Sequence, residues 1–138
     1  MALVLDTGPL LAAIDRRDPD HSRCSRLLEQ TAETLVIPAP VLGEIDYWIY
    51  KELHVGALIT LLDQIAEGTF VVENLLPADY RRVREVCNKY WDSDVGLVDA
   101  AVLAIVERLD EPKLATLDHR HFGMIRPRHV KALQLLPE

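Results

Sequence analysis

Short apolar runs alternate with longer segments of helical periodicity along the chain. The short runs predict strands, because they are rich in aliphatic and β-branched residues and end at turn or helix-start signals. They are Ala2–Leu5, 34–37, 69–73, 113–117 and 130–136. Strands that alternate with helices favour a three-layer α/β fold, in which a central parallel sheet of about four to five short strands has helices on both faces.

The predicted helices repeat apolar residues at spacings of three and four. They cover 9–14, 19–31, a segment that starts at Pro40, 54–67, 77–91, 97–109 and a turn or short helix at 119–123. Thr7 and Asp18 are the expected N-caps of the first two. One apolar stripe of helix 54–67 consists of Val55, Ile59, Leu62, Ile65 and Ala66. The residues of helix 77–91 expected to point inward are Tyr80, Val83, Cys87, Tyr90 and Trp91.

Length and composition predict one folded domain over residues 1–138, since no linker or repeat divides the chain. No apolar run is long enough to span a membrane, and the N-terminus lacks the features of a signal peptide. Cys24 and Cys87 lie far apart and fit no metal-binding spacing. They predict free thiols in a reducing compartment, which makes the cytoplasm the expected location.

The formal net charge of −7 argues against a protein that grips nucleic acid by bulk electrostatic attraction. It does not exclude a nuclease, because a carboxylate-rich metal site makes its own region acidic until a cation binds. Basic residues are also concentrated: Arg120, Arg126, Arg128 and Lys131 fall in a stretch, 119–131, that contains no acid.

Four acids occupy positions that a parallel sheet would bring together. Asp6 and Asp118 each end a predicted strand, Glu44 lies early in the helix after the second strand, and Asp99 lies in the first turn of its helix. The carboxyl ends of parallel strands and the starts of the helices that follow them share one edge of the sheet. Four carboxylates there repel one another unless a cation is bound, and oxygen ligands favour Mg²⁺ or Mn²⁺. Such a site suits hydrolysis of a phosphodiester.

Each acid also has a simpler explanation when taken alone. Asp6 can cap a helix, Asp99 is a favourable first-turn acid, and Glu44 and Asp118 can be a solvated helix residue and a turn residue. Asp6, Glu44 and Asp99 nevertheless stand among apolar residues, where an unpaired charge is costly. The four together therefore favour a site.

The same residues resemble a known family. The segments Leu5-Asp6-Thr7-Gly8, Pro40-Val41-Leu42-Gly43-Glu44, Gly96-Leu97-Val98-Asp99-Ala100 and Thr116-Leu117-Asp118, with Phe122, are similar in order and separation to a PIN-domain protein. More narrowly, they resemble a VapC-type toxin of bacterial toxin–antitoxin pairs, over nearly the whole chain. The resemblance implies an endoribonuclease in which Asp6, Glu44, Asp99 and Asp118 bind Mg²⁺ or Mn²⁺. It also implies that Thr7 and Thr116 help to orient the site, and that the protein is a homodimer held by an antitoxin.

Two further segments suggest surfaces for partners. His119, Arg120, His121, Arg126 and Arg128 flank Asp118, where they can contact RNA phosphates or can form a solvated turn that offsets nearby acids. No histidine is expected to bind the metal. The run from Tyr47 to Tyr50 can meet a second copy or an antitoxin, although a place in the core is favoured for Trp48 and Ile49.

Three alternatives remain at this stage. A phosphotransferase of the haloacid dehalogenase type would use Asp6 as a covalent nucleophile, but it wants a second Asp two residues later, where this chain has Gly8. A housekeeping RNA-processing nuclease would share the chemistry of a toxin. A catalytically silent PIN-like module that only binds is disfavoured, because all four acids are present.

Overall fold

Each predicted apolar run contains or overlaps one strand of the structure, a computed structural model that describes residues 1–138. The strands are β1 (Ala2–Val4), β2 (Thr34–Pro38), β3 (Phe70–Glu73), β4 (Lys113–Ala115) and β5 (Gln134–Leu136). Strand β2 pairs in parallel with both β1 and β3, and β4 pairs in parallel with β5. A parallel bridge between Leu5 and Ala115 joins the two sets, which gives the order β3-β2-β1-β4-β5.

Seven helices connect the strands. They are α1 (Thr7–Ile14), α2 (His21–Gln30), α3 (Ala39–Glu52), α4 (Val55–Ala66), α5 (Pro77–Lys89), α6 (Leu97–Arg108) and α7 (His119–Met124). Helix α6 is the most buried of them, because every residue from Ala100 to Val106 is buried. The predicted α/β fold with a parallel sheet between helices is therefore confirmed.

Details at the helix ends and faces differ from the predictions. Helix α2 has Asp20 at its N-cap position, and Asp18 instead accepts a hydrogen bond from the Asp20 amide at 2.8 Å. Val83 and Val86 are the buried apolar residues of α5, and Cys87 and Tyr90 pack against the core as predicted, whereas Tyr80 and Trp91 are exposed. Helix α5 ends at Lys89, so Trp91 lies in the turn beyond it and cannot follow the helical stripe.

The apolar stripe on α4 is the clearest departure from expectation. Val55, Ile59 and Leu62 are 56%, 54% and 51% exposed, while Leu61 is the buried residue of this helix. Helix α4 has apolar side chains on two faces, and the sequence spacing does not reveal which face meets the sheet. The part of the stripe formed by Val55, Ile59 and Leu62 therefore lies on the surface, whereas Ile65 packs against the core.

Both cysteines are free thiols, with Cys24 buried and Cys87 partly buried. Burial raises the pKa of the Cys24 thiol to about 11, so this side chain behaves as a small apolar residue rather than as a nucleophile. None of the helices has both the length and the apolar character needed to cross a membrane.

Candidate active site

The four acids singled out in the sequence line one open pocket at the carboxyl ends of β1 and β4. Asp6 follows β1 and Asp118 follows β4, while Glu44 lies in α3 and Asp99 lies in the first turn of α6. The pocket has a volume of about 560 Å³ and is lined by Asp6, Thr7, Gly8, Glu44, Trp48, Asp99, Leu117, Asp118 and His121. Asp46 and Asp94 lie outside it.

Asp6 is the most deeply placed of the four, with only 6% of its surface exposed. Although it occupies the N-cap position of α1, its side chain does not cap that helix. Its Oδ2 instead accepts a hydrogen bond of 2.8 Å from the Thr116 hydroxyl, and Thr116 Oγ1 accepts one of 3.0 Å from the Asp118 amide. This chain of bonds links the ends of β1 and β4 and fixes the direction of the Asp6 carboxylate.

The pKa of Asp6 is raised to about 6, chiefly by burial and to a smaller extent by the nearby carboxylates of Asp99 and Glu44. The hydrogen bond from Thr116 opposes this shift, because it favours the charged form. The pKa of Asp99 is also raised, chiefly by burial and then by Asp118 and Glu44, while His121 lowers it. The pocket therefore holds carboxylates whose negative charge is poorly compensated by the protein.

Glu44 is joined to α1 through Thr7. The Thr7 hydroxyl donates a hydrogen bond of 2.5 Å to Glu44 Oε1. Thr7 is the first residue of α1, and Asp6 occupies the N-cap position. The expectation that Thr7 caps the helix was wrong, because its side chain turns across the pocket toward α3. Glu44 itself is exposed, and this contact is what holds its carboxylate toward Asp6.

Gly8 allows α1 to approach the segment after β4. A Cβ atom at this position would lie 3.2 Å from Leu117 Cβ and 3.3 Å from its Cγ, tighter than ordinary van der Waals contact. A larger residue would require the Leu117 side chain to move by a few tenths of an ångström. The glycine thus has a packing role beside the site.

The third part of the pocket is built by α6 and α7. Asp118 caps α7 by accepting the His121 amide at 3.0 Å through Oδ1. Its Oδ2 lies 2.8 Å from His121 Nδ1, which is also 3.4 Å from Asp99 Oδ2. One ligand atom from each of Asp99, Asp118 and His121 can lie within 4.8 Å of the others, a spacing that could hold a metal ion.

The donor set suits a divalent cation. None of the ion pairs formed by Lys or Arg includes any of the four acids, and His121 is the only basic side chain paired with them. Clustered carboxylates without a Lys or Arg partner carry a negative charge that a bound metal ion would neutralise.

Comparison with known proteins agrees with this geometry. The family model described as "PIN domain" matches residues 3–125. The chain belongs to the PIN-domain family. Within it, the chain is 32% identical over 125 residues to Ribonuclease VapC26 of Mycobacterium tuberculosis, an alignment that covers 91% of this chain and 93% of that protein. The VapC-type resemblance is thereby confirmed, and the haloacid dehalogenase alternative falls.

Solved structures of PIN-domain toxins share the fold. VapC20 of Mycobacterium tuberculosis, a toxin that cleaves the sarcin-ricin loop, has a TM-score of 0.81 at 17% identity, covering 95% of this chain and 99% of that one. VapBC2 from Rickettsia felis, bound to a DNA fragment from its promoter, has a TM-score of 0.69 at 18% identity, covering 98% and 97%. FitAcB from Neisseria gonorrhoeae has a TM-score of 0.58 at 17% identity, covering 89% and 91%.

This PIN domain places two residues differently from the sequence analysis. Trp48 was expected in the core, yet it is 40% exposed and lines the pocket one helical turn after Glu44. His121 was grouped with the surface cations, yet its ring faces the acids. Sequence spacing could have identified both residues. Trp48 is four residues after Glu44 and His121 is three residues after Asp118, and residues three or four apart lie on the same face of a helix.

The cations around Asp118 are also divided by the structure. His119 and Arg120 are exposed at the start of α7. Arg128 forms an ion pair with Glu85, and the Arg126 carbonyl accepts a hydrogen bond from Arg82. Arg120 and Arg126 therefore remain exposed cations without an ion pair, and His119 is exposed beside Arg120.

Proposed function

We propose that this PIN-domain protein is an endoribonuclease that depends on Mg²⁺ or Mn²⁺ and acts as the toxin of a toxin–antitoxin pair. The observation that supports this most strongly is the meeting of Asp6, Glu44, Asp99 and Asp118 at one open pocket without a Lys or Arg partner. The similarity to a protein named as a ribonuclease supports RNA as the substrate.

The four acids would hold the cation, and the remaining residues of the pocket would hold the acids. Thr116 fixes the Asp6 carboxylate and Thr7 fixes that of Glu44, so both hydroxyls act as positioning groups. When bound, the cation would act as a Lewis acid that lowers the pKa of a water and offsets negative charge on the phosphate. A water nucleophile is favoured, because no Ser or Cys side chain lines the pocket.

RNA would contact the rim of the pocket. Arg120 offers an exposed cation, and His119 an exposed imidazole, to phosphates beside Asp118. Trp48 is partly exposed in the pocket lining one helical turn after Glu44, and aromatic side chains stack on unpaired bases of RNA. The three residues would place a single-stranded or looped segment across the acids.

The test of the nuclease is RNA cleavage by purified protein with Mg²⁺ or Mn²⁺ and with a chelator. Cleavage should require the metal and should be lost in Asp6→Asn and in Asp99→Asn. Asp46→Asn is the matched control, because Asp46 lies on the same helix as Glu44 but outside the pocket. Activity that survives the chelator, or full activity in either site variant, would contradict the proposal.

The toxin role needs a separate test, because a housekeeping nuclease would cleave RNA in the same way. Induced expression should arrest growth, Asp6→Asn should remove the arrest, and the product of a neighbouring gene should relieve it. A cleaving enzyme that leaves growth unchanged would be an RNA-processing nuclease instead.

An antitoxin has a suitable groove on the face of the molecule formed by α1, α2 and α4. It has a volume of about 650 Å³, and apolar residues such as Leu10, Leu28 and Leu61 line it together with polar residues such as Arg16 and Glu29. An amphipathic segment fits such a groove. Thr60→Arg should weaken capture of the antitoxin and leave RNA cleavage unchanged, whereas Glu67→Arg, outside the groove, should change neither. Normal capture by Thr60→Arg would place the antitoxin elsewhere.

A further inference from the structure

The imidazole of His121 points into the acid pocket rather than toward solvent. Only 14% of its side chain is exposed, and Nδ1 lies 2.8 Å from Asp118 Oδ2 and 3.4 Å from Asp99 Oδ2. The ring belongs to α7, whose first turn is fixed by the Asp118 cap. The position of Nδ1 between the two carboxylates is therefore set by the backbone of that turn as well as by the ring itself.

The other nitrogen of the ring has a fixed partner. Nε2 lies 3.0 Å from the carbonyl oxygen of Ser93, in the turn before α6, and a carbonyl can only accept. Nε2 must therefore bear a proton and donate it, so Nδ1, which faces the carboxylates of Asp118 and Asp99, is the only ring nitrogen placed to bind a cation. Histidines that bind metals usually donate their other ring N–H to a backbone carbonyl or carboxylate in this way.

We propose that His121 Nδ1 is a ligand of the divalent cation, together with Asp99 and Asp118. This inference rests on the proposed metal-dependent function and adds a nitrogen to a site otherwise made of oxygens. Mg²⁺ strongly prefers oxygen ligands, whereas later divalent metals accept imidazole and bind it more tightly along the Irving–Williams order. The pocket should accordingly bind Mn²⁺ in preference to Mg²⁺.

The competing explanation is that His121 only holds α7 in place. In that case both ring nitrogens would bear protons, Nδ1–H would donate to Asp118, and the ring would stay outside the coordination sphere of the metal. The two explanations differ in one observable, which is whether a nitrogen is bonded to the cation. That observable does not depend on catalytic activity.

Electron spin echo envelope modulation of Mn²⁺ bound to the purified full-length chain measures it directly. A coordinated imidazole gives a ¹⁴N modulation that carboxylate and water ligands do not give. We expect this modulation in the wild-type protein and in His119→Gln, whose ring is exposed nearby, and its loss in His121→Gln with Mn²⁺ still bound. Circular dichroism of each variant checks that the fold is kept.

Three other outcomes would overturn the inference. Bound Mn²⁺ without ¹⁴N modulation in the wild type would exclude His121 as a ligand and leave the proposed nuclease intact. Modulation that persists in His121→Gln would assign the nitrogen to another group. Failure of Mn²⁺ to bind the wild type would remove the metal site itself, and the proposed function with it.

Calorimetric titration measures the affinities for Mn²⁺ and Mg²⁺ and so tests the same inference quantitatively. His121→Gln should weaken Mn²⁺ binding by about tenfold or more, the scale on which changes around metal ligands act, and should weaken Mg²⁺ binding less. An equal loss for both ions would indicate a general disturbance of the pocket and would count against a nitrogen ligand. His119→Gln should leave both affinities unchanged.

Discussion

At the scale of single residues, the pocket contains carboxylates that burial and mutual repulsion make costly to ionise. Asp6 is buried, its pKa is raised to about 6, and its one side-chain hydrogen bond comes from Thr116. An unfolded chain would have an ordinary aspartate pKa near 4. The metal-free protein therefore loses stability as Asp6 ionises.

The sign of this effect predicts how Asp6→Asn behaves in the presence of a chelator. Below about pH 4 the carboxyl is protonated in both states, so the substitution should change little. As the pH rises from 4 through about 6, the unfolded chain releases its proton first, and the native wild type becomes less stable. At pH 8 Asp6→Asn should raise the free energy of unfolding by roughly 2–3 kcal/mol, since each unit of pKa is worth about 1.4 kcal/mol. Urea denaturation at pH 4 and pH 8 measures it.

The opposite result at pH 8 would return Asp6 to a structural role. A helix cap or another essential contact would make Asp6→Asn less stable at both pH values. The control is Asp46→Asn, an exposed carboxylate on α3 that should give no change at either pH.

Thr116 supplies the second prediction at this scale. Its buried hydroxyl donates to Asp6 and accepts from the Asp118 amide, so Thr116→Val removes both bonds while keeping the shape. Unfolding free energy should fall by about 1–3 kcal/mol, because a buried donor and acceptor lose their partners. RNA cleavage should also fall, since Asp6 is no longer oriented. The exposed Thr69→Val should leave both unchanged, and wild-type cleavage in Thr116→Val would show that the bond has no positioning role.

The contacts of single residues explain why the sequence pointed to the four acids of the pocket and did not point to His121. Asp6 and Asp118 follow short apolar strands, so local sequence was enough to place them at one edge of the sheet. The ring of His121 is directed by the Ser93 carbonyl, 28 residues earlier in the chain. Such a contact exists only after α6 and α7 have packed, and no local pattern encodes it.

At the scale of secondary-structure elements, α4 exposes more apolar surface than a free helix face normally does. Val55, Ile59 and Leu62 are spaced four and three residues apart and are each more than half exposed. No other segment of the chain covers them. Large exposed apolar patches commonly mark interaction surfaces. A second copy of the same chain is the simplest partner to test, because it is present in any purified sample.

A single substitution that introduces a charge tests whether the protein forms a homodimer through this face of α4. Ile59→Glu should shift the protein from dimer to monomer in sedimentation velocity, because it places an unpaired carboxylate at the centre of the stripe. Stability of the fold should change little, since the side chain is already exposed. Glu67→Lys, at an exposed position at the end of the same helix and outside the stripe, is the control. A dimer that persists in Ile59→Glu would move the interface elsewhere, and a monomeric wild type would refute the dimer.

The same helix marks the limit of pattern-based prediction. The period of its apolar residues gave a helix over nearly the correct range, from Val55 to Ala66. It did not say which face is buried, because both faces contain large aliphatic residues and only Leu61 is fully covered by the fold. Burial of a face depends on which neighbours surround it, and those neighbours are distant in sequence.

At the scale of the whole molecule, the protein has a net charge of −7, and its proposed substrate, RNA, is also negatively charged. The acids of the pocket add to the repulsion until a cation binds, so attraction to phosphate has to be local. The structure leaves Arg120 exposed beside Asp118 while Arg82 and Arg128 are occupied by Glu107 and Glu85. Arg120 is therefore an exposed arginine beside the acids that has no acidic partner and can contact a phosphate.

Arg120→Ala tests this distribution of charge. Each phosphate contact to single-stranded RNA contributes about −0.7 to the slope of log affinity against log salt concentration. The substitution should make that slope shallower by about 0.7 and should raise KM, while kcat changes little because Arg120 does not hold the acids. Arg26→Ala, an exposed arginine on α2, is the matched control, since it makes the same change in net charge far from the pocket. If both variants altered the salt dependence equally, RNA would respond to net charge alone, and the local contact at Arg120 would be excluded.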